Sequence, residues 1–211
     1  MKPFLLLSSL AAMLFWSWGE GGDRFVRAAP RDRGLKIEAV EAQISRMETS
    51  SPTIAQDAWQ SLSRPQSGFN VAMPPGTVRE EVKPLETEFG TVDNHLLIVS
   101  QPTGFYALLY RDFPAALENW SPEAVLNAMI EGVEANVSRK LQDPQTIALD
   151  GNPGADLYYE SFDGFTYKQR VYVVDRRLYI LAAATTETAS ESFVAEADRF
   201  LNSFELNLGT P

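Results

Sequence analysis

Alternating apolar and polar positions predict an antiparallel β-sheet built from two blocks of the chain. In each block, short runs with a period of two are separated by turn residues, as in half-buried strands. Asp163-Gly164 favours a hairpin, and Asp175-Arg176 favours a second tight turn. The predicted strands lie at residues 68–73, 86–100 and 105–110 in the first block and at 146–149, 156–162, 165–174 and 177–185 in the second.

Two further segments have the spacing of amphipathic helices. The first begins with Ser121 as N-cap and Pro122 at the first helical position, and its apolar face continues to Val137. Arg139 and Lys140 then stand where a helix C-terminus favours cations. The second helix is predicted to begin at a capping box, residues 188–191. The order β-β-β-α-β-β-β-β-α predicts an α+β fold, an antiparallel sheet of about six to seven strands flanked by helices.

The amino terminus has the pattern of an export signal. Lys2 precedes residues 4–18, of which twelve of fifteen are apolar. This run is shorter than the ~20 apolar residues of a typical membrane-spanning helix, so a cleaved signal is favoured, and an uncleaved anchor is the alternative. We therefore predict a signal peptide or membrane anchor at residues 1–28. A linker with a short amphipathic helix follows at 29–58, and one folded domain at 59–208.

The composition of the chain excludes several kinds of reactive site and of partner. The 211-residue chain has one His, no Cys and a net charge of −10, which excludes disulfides, thiolate nucleophiles and cysteine-based metal sites. Residues 1–28 carry three cations and two anions, a net of +1, so the remainder carries −11. An acidic domain is a poor binder of phosphate backbones, and we expect no nucleic-acid partner.

Several segments resemble PsbP-like domains, including a group of exported bacterial and cyanobacterial proteins. The resemblance covers residues 59–208 and implies an antiparallel sheet with helices on both faces. It also implies adaptor, assembly or ligand-binding roles, in the periplasm, thylakoid lumen or cell envelope, although a shared fold does not transfer a function. It rests on Trp59 with residues 68–74, on 151–157, on 170–181 and on 200–206.

His95 is the only imidazole in the chain and therefore the only histidine base available to an enzyme. It stands in Val92-Asp93-Asn94-His95, which we interpret as a turn leading into a strand. An Asp–His pair could orient a nucleophile, but no serine lies in the small-residue elbow that such nucleophiles occupy. A surface or hydrogen-bonded structural histidine is the favoured interpretation, and no catalytic residue is predicted.

Acidic residues cluster around the bend at residues 151–154. Oxygen-rich loops of this kind can bind calcium, but Gly154, Ala155 and Ser161 stand where an EF-hand needs Asp or Asn, Gly and Glu. A carboxylate pair on one strand, four residues apart, spans about 13 Å, too far for glycoside hydrolysis. Turn residues and solvated carboxylates are favoured, and neither a metal nor a cofactor is predicted. The residues concerned are Asp150, Asn152, Asp156, Glu160 and Asp163.

One hairpin concentrates basic and tyrosine side chains within the acidic domain. Its cations could dock an acidic partner, or they could pair with carboxylates across the strands, which is the favoured alternative. The tyrosines suit either a contact surface or a half-buried sheet face. The predicted docking residues are Lys168, Arg170, Arg176 and Arg177, and the tyrosines are Tyr158, Tyr159, Tyr167, Tyr172 and Tyr179.

The sequence as a whole favours a non-enzymatic exported binding or assembly domain. Its partner would be a protein or a small apolar ligand, held on a sheet face or between the sheet and the helices. A carboxylate- or metal-dependent envelope hydrolase and a membrane-anchored structural protein of the envelope are the alternatives. Contact with a membrane is expected only through an uncleaved amino-terminal segment.

Overall fold

A computed structural model describes residues 58–87 and 90–207 of the chain. The described residues form a seven-stranded antiparallel sheet in the order β3-β4-β5-β9-β8-β7-β6 and a small sheet in the order β1-β2-β10. The predicted signal or anchor, the linker and its short helix lie outside the described residues. The strands are Gln60–Arg64 (β1), Phe69–Met73 (β2), Arg79–Thr87 (β3), Gly90–Gln101 (β4), Gly104–Asp112 (β5), Val137–Leu149 (β6), Asn152–Ser161 (β7), Thr166–Val174 (β8), Arg177–Thr185 (β9) and Glu205–Leu206 (β10).

Two helices cover the two faces of the large sheet. Helix α1 (Pro122–Glu134) lies across β6, β7 and β8, and helix α2 (Glu191–Asn202) packs on β8, β9 and β2 from the other side. The small sheet shares the α2 face. This arrangement confirms the α+β class and the antiparallel sheet of about seven strands, and it places helices on both faces.

Each face of the sheet has its own hydrophobic core. On the α1 side, the apolar stripe of α1 packs on alternate residues of β5, β7, β8 and β9. On the α2 side, Phe69 and Phe200 are fully buried together with Tyr179. Successive side chains of β8 and β9 point to opposite faces of the sheet and therefore enter the two cores in turn. Burying each large side chain contributes about 1.5–3 kcal/mol, which stabilises the packing of both helices on the same sheet.

The end of α1 corrects the sequence prediction. The helix begins as expected, with the Ser121 hydroxyl accepting a hydrogen bond from the backbone N–H of Ala124. It ends at Glu134, where the Asn136 side chain donates to the carbonyl of Gly132 at 2.8 Å. Val137, Arg139 and Lys140, predicted to extend the helix, belong to β6. Val137 fits either pattern because its side chain packs on the α1-side core from the strand as well.

Other boundaries also differ from the prediction. The region at 86–100 is two strands, and β1 was missed because Leu62 is its only apolar residue. The bend predicted at 151–154 is a turn at Asp150 and Gly151, both with positive φ, so residues 152–154 are already in β7. The predicted capping box at 188–191 is wrong, because Ser190 caps α2 by accepting from the N–H of Phe193.

Candidate functional site

A cleft opens at the end of the large sheet where β4 turns into β5 and β9 leads into α2. Its volume is about 580 Å³. Three loops surround it: the β2–β3 loop with Pro74 and Pro75, the β4–β5 turn with Pro102, and the loop before α2. We call this feature the cleft, and its lining residues are Trp59, Pro74, Pro75, Gln101, Pro102, Thr103, Gly104, Tyr106, Ala184, Thr185, Glu187, Thr188, Ser190, Ser192, Phe193 and Glu196.

Hydrogen bonds between the loops hold the rim of the cleft in place. Gln101 donates from its amide to the carbonyl of Pro75 at 2.9 Å, and Gln60 donates to the carbonyl of Gly76 at 2.6 Å. On the opposite side, Thr186 donates from both its backbone N–H and its hydroxyl to the carbonyl of Thr103, at 2.8 and 3.2 Å. A binding surface ordered in advance loses less conformational entropy when a ligand docks.

The floor of the cleft is a close strand contact. Gly104 at the start of β5 pairs with Thr185 at the end of β9. A Cβ atom at Gly104 would come within 1.8 Å of the carbonyl oxygen of Ala184, so only glycine fits between the two strands. Glycine is therefore required at position 104, where the β4–β5 turn meets the loop that precedes α2.

Aromatic rings form one wall of the cleft and connect it to the α2-side core. The rings of Trp59 and Tyr106 meet edge to face with centroids 6.4 Å apart, and Tyr106 also contacts Phe200 at 5.6 Å. The guanidinium of Arg199 lies over the Trp59 ring, 4.3 Å from its centroid. These contacts anchor the wall to α2, because edge-to-face and cation–π pairs add to the burial of the rings.

The charge inside the cleft is entirely negative. Glu187 and Glu196 line it, and no Lys, Arg or His is among its described lining residues. The Tyr106 hydroxyl donates to Oε2 of Glu196 at 3.3 Å. Burial raises the pKa of Tyr106, and the charge of Glu196 and the hydrogen bond to it raise that pKa further. The phenol therefore stays protonated and keeps donating at physiological pH.

The four predicted docking cations each have a carboxylate partner. Arg170 makes two hydrogen bonds to Asp156, at 2.6 and 2.9 Å, directly across β7 and β8. Arg177 does the same with Asp112 across β9 and β5, also at 2.6 and 2.9 Å. These are the cross-strand pairs that the sequence favoured as the alternative to docking.

The remaining two cations are paired as well, and the four do not form one surface. Lys168 forms an ion pair with Asp198 on α2, and Arg176 lies 3.8 Å from Glu118. Lys168 and Arg170 point to the α2 side of β8, whereas Arg176 is in the β8–β9 turn. A docking role for these residues stays a prediction, but any acidic partner would have to compete with internal carboxylates.

Three of the acidic residues near β7, Asp156, Glu160 and Asp163, each bind different partners. Asp156 is held by Arg170, and Glu160 accepts from the Nε of Arg139 at 3.0 Å. Asp163 accepts from the Ser161 hydroxyl and from the N–H of Phe165, so it shapes the β7–β8 turn. Among residues 58–87 and 90–207, no group of three or more acidic or histidine side chains is arranged to hold a metal ion.

His95 lies inside β4 rather than at the predicted turn. Its ring stacks on Tyr110 of the neighbouring strand, with centroids 4.7 Å apart and an angle of 8° between the rings. The hydroxyl of Ser67 donates to the Tyr110 hydroxyl at 2.9 Å. The geometry gives His95 a packing contact, in line with the structural role favoured by the sequence.

The predicted tyrosines lie mostly inside the domain. Tyr159 and Tyr167 stack under α1 with centroids 5.3 Å apart, and the Tyr159 hydroxyl donates to the side-chain Oε1 of Gln169 at 2.5 Å. Burial raises the pKa of both phenols. Tyr172 and Tyr179 pack on the α2 side instead. The half-buried sheet role therefore describes these side chains better than an open contact surface does.

Two features were missed at the sequence level. The cleft was not predicted, because its residues belong to separate strands, turns and a helix start, and no sequence pattern indicates that these meet. Arg111, expected to leave the sheet, is in β5 with 2% of its surface exposed, and its Nη1 donates to Asn94 at 3.2 Å. Among the described residues its Nη2 has no hydrogen-bond partner, and burial lowers the pKa of Arg111 to about 10. A charged residue in an alternating strand gave no sign that it would be buried.

Comparisons with known proteins bear on the fold alone. No protein-family model matches the chain, and no curated protein matches it either. The structure is similar to the solution structure of cyanobacterial PsbP (CyanoP) from Synechocystis sp. PCC 6803, with 12% identity and a TM-score of 0.44. That match covers 74% of this chain and 97% of the other.

A second similar structure is that of PA94, a protein of unknown function from Pseudomonas aeruginosa. It has 12% identity and a TM-score of 0.37, and the match covers 66% of this chain and 88% of that chain. Within the described residues, no helix has the length and apolar character needed to cross a membrane.

Proposed function

We propose that this protein is an exported, non-enzymatic binding or assembly domain that holds an extended segment of a partner protein in the cleft. The observation that carries the proposal is the cleft itself: a volume of about 580 Å³ with aromatic walls and a rim tied by inter-loop hydrogen bonds. Concave sites that combine apolar walls with a few placed polar groups are the usual form of a binding site.

The lining favours a peptide segment over a small apolar ligand. Hydroxyls of Thr188, Ser190 and Ser192 and the carboxylates of Glu187 and Glu196 are interleaved with the rings and prolines. Transferring a purely apolar ligand next to these groups would take them out of water without replacing their hydrogen bonds. A peptide backbone supplies both donors and acceptors, and its side chains can cover the rings.

Peptide display on the immobilised full-length chain tests the proposal. A random dodecapeptide library is selected on the unmodified protein, and the selected peptides are then measured against Thr188→Trp, which fills the cleft. The matched control is Thr146→Trp, the same substitution at an exposed position of β6. We expect the peptides to lose most of their affinity for Thr188→Trp and to keep it for Thr146→Trp.

Two results would overturn the proposal. One is a selection that yields no binding peptides, and the other is a set of peptides that bind Thr188→Trp as well as the unmodified chain. Circular dichroism of both variants checks that the tryptophan has not unfolded the domain. A loss of peptide affinity in a folded Thr188→Trp protein would show that the peptides bind in the cleft.

Export is the second part of the proposal and rests on the amino-terminal pattern of Lys2 followed by residues 4–18. Fractionation of a carboxy-terminally tagged chain in a bacterial host tests it. We expect a shortened product in the exported soluble fraction. A full-length product in the membrane fraction would favour the uncleaved anchor, and a full-length product in the cytoplasm would contradict export.

A further inference from the structure

We propose that the anchor of the bound segment is a cationic side chain, and that arginine is favoured over lysine. This inference rests on the proposed function and names the chemistry of the partner: an extended basic segment with an Arg that enters the cleft. Charge complementarity carries it, because Glu187 and Glu196 are the only charged side chains among the described residues that line the cleft.

Neither glutamate is neutralised by the part of the chain that the structure describes. Eight ion pairs occur among those residues, and none contains Glu187 or Glu196. Arg199 is the nearest candidate in sequence, three residues after Glu196, but its guanidinium lies over Trp59 and makes no ion pair with either glutamate. The cleft therefore keeps two carboxylates available to a cation from outside.

One of these carboxylates is already oriented. The hydrogen bond from Tyr106 fixes Oε2 of Glu196, which leaves the other oxygen free to accept from a ligand. Tyr106 is 4% exposed and packed against Trp59 and Phe200, so its hydroxyl is a rigid support. A charge-assisted hydrogen bond from a cation to this carboxylate is stronger than one between neutral groups.

The surrounding groups favour a guanidinium over a metal ion or an ammonium. Among the described residues, two carboxylates line the cleft. No group of three or more acidic or histidine side chains in that part of the chain is arranged to hold a metal ion. The ring of Phe193 offers a flat surface next to the two carboxylates, whereas Arg199 already lies over the Trp59 ring. A planar guanidinium can stack on a ring and bind a carboxylate at the same time, whereas an ammonium acts as a compact point charge.

Selected peptides and their citrulline forms provide the test. Citrulline keeps the shape of arginine and removes its charge. We expect peptides selected on the full-length chain to be enriched in Arg. Replacing that Arg by citrulline should weaken binding about tenfold or more, and replacing it by Lys should weaken it less, as expected for a hydrogen-bonded charge.

Charge-matched variants locate the effect. Glu196→Gln and Glu187→Gln should each weaken the Arg peptides several-fold and leave the citrulline peptides nearly unchanged. Glu205→Gln and Glu131→Gln remove the same charge from exposed positions on β10 and α1, and they should leave the affinity for Arg peptides within about twofold. Equal effects of all four variants would mean non-specific attraction to an acidic protein and would overturn the inference.

The outcomes separate this inference from the proposed function. Peptides that depend on an open cleft but show no enrichment in Lys or Arg, or no loss on citrulline substitution, overturn the cationic anchor and leave the binding function standing. Peptides that bind Thr188→Trp as well as the unmodified chain overturn both. Dependence on the open cleft, on Arg and on Glu196 together supports both.

Discussion

The turn end of the β8–β9 hairpin, with Arg176 and Arg177, and the acidic cleft lie at opposite ends of β9 and balance their charges differently. At the start of β9, Arg177 is satisfied by Asp112 and by the carbonyl of Ser67. At the end of β9, about nine strand residues or 30 Å away, Glu187 and Glu196 have no cation among the described residues. A cluster of charge in a sequence therefore does not show which charges are available to a partner.

This difference also separates stability from recognition. The cations of the hairpin hold strands and helices together, since Arg170 also donates to the carbonyl of Leu201 at 3.1 Å and to the Asn202 side chain at 3.0 Å. Among the described residues, the carboxylates of the cleft form no ion pair, and Glu196 accepts one hydrogen bond, from Tyr106. Substitutions in the first group should change the free energy of unfolding, and those in the second should change binding.

Arg170→Met gives the largest expected loss of stability. The Arg170 side chain is 13% exposed, and removing it leaves Asp156 without its partner on a partly buried sheet face. Breaking such a pair should lower the free energy of unfolding by about 2–3 kcal/mol, measured by urea denaturation. Peptide binding at the cleft should persist below the denaturation transition.

Arg139→Met is the matched control for that variant. Arg139 also pairs with a carboxylate of β7, Glu160, but its side chain is 64% exposed. Water can replace its hydrogen bonds, so the loss of stability should be much smaller than for Arg170→Met. Equal losses in the two variants would contradict the view that burial, rather than pairing alone, makes Arg170 important.

Arg177→Met should change the acid sensitivity of the fold. Hydrogen bonding from Arg177 lowers the pKa of Asp112 below its ordinary value, against the opposing effect of burial. A carboxyl whose pKa is lower in the folded state stabilises the fold above about pH 4, and this contribution is lost as the pH falls through the folded-state pKa.

The measurement is the free energy of unfolding of both proteins between about pH 5 and pH 2. The unmodified chain should lose more stability over this interval than Arg177→Met, by less than about 1 kcal/mol because the Asp112 side chain is 65% exposed. Parallel curves for the two proteins would show that the Asp112–Arg177 pair contributes no acid-sensitive stability.

Arg176→Glu should have the smallest effect. Arg176 is 53% exposed and its nearest carboxylate, on Glu118, is 3.8 Å away, so reversing its charge should change stability by less than about 0.5 kcal/mol. Affinity for the selected peptides should stay within about twofold. A large loss of binding in a folded Arg176→Glu protein would indicate that the partner docks on the hairpin and not in the cleft.

Much of the sheet could be predicted from the sequence because its signals are local. Strands β8 and β9 are rich in aromatic and aliphatic residues, β9 as an almost continuous buried run, and a tight turn at Asp175 joins them, so their pairing follows from local signals. Mostly polar strands could not be predicted in this way: β1 and β3 have few apolar residues, and pairing with β2 and β4 determines them.

The cleft could not be predicted because its residues meet only through the topology of the sheet. Gly104 reaches Thr185 because β5 and β9 are neighbours, although 81 positions separate them in the sequence. The hydrogen bonds of Gln101 and Thr186 to other loops carry no sequence motif. The Asp156–Arg170 ion pair was easier to predict, because the register of the β7–β8 hairpin places the two residues opposite each other.

The most direct test of the account is a map of amide chemical-shift changes when an Arg-containing selected peptide is added to the isotope-labelled full-length chain. We expect changes concentrated in residues 101–106 and 185–196, which contain most of the residues that line the cleft, and none beyond background in residues 174–178 of the hairpin. Changes concentrated in residues 174–178, with the cleft unaffected, would contradict it.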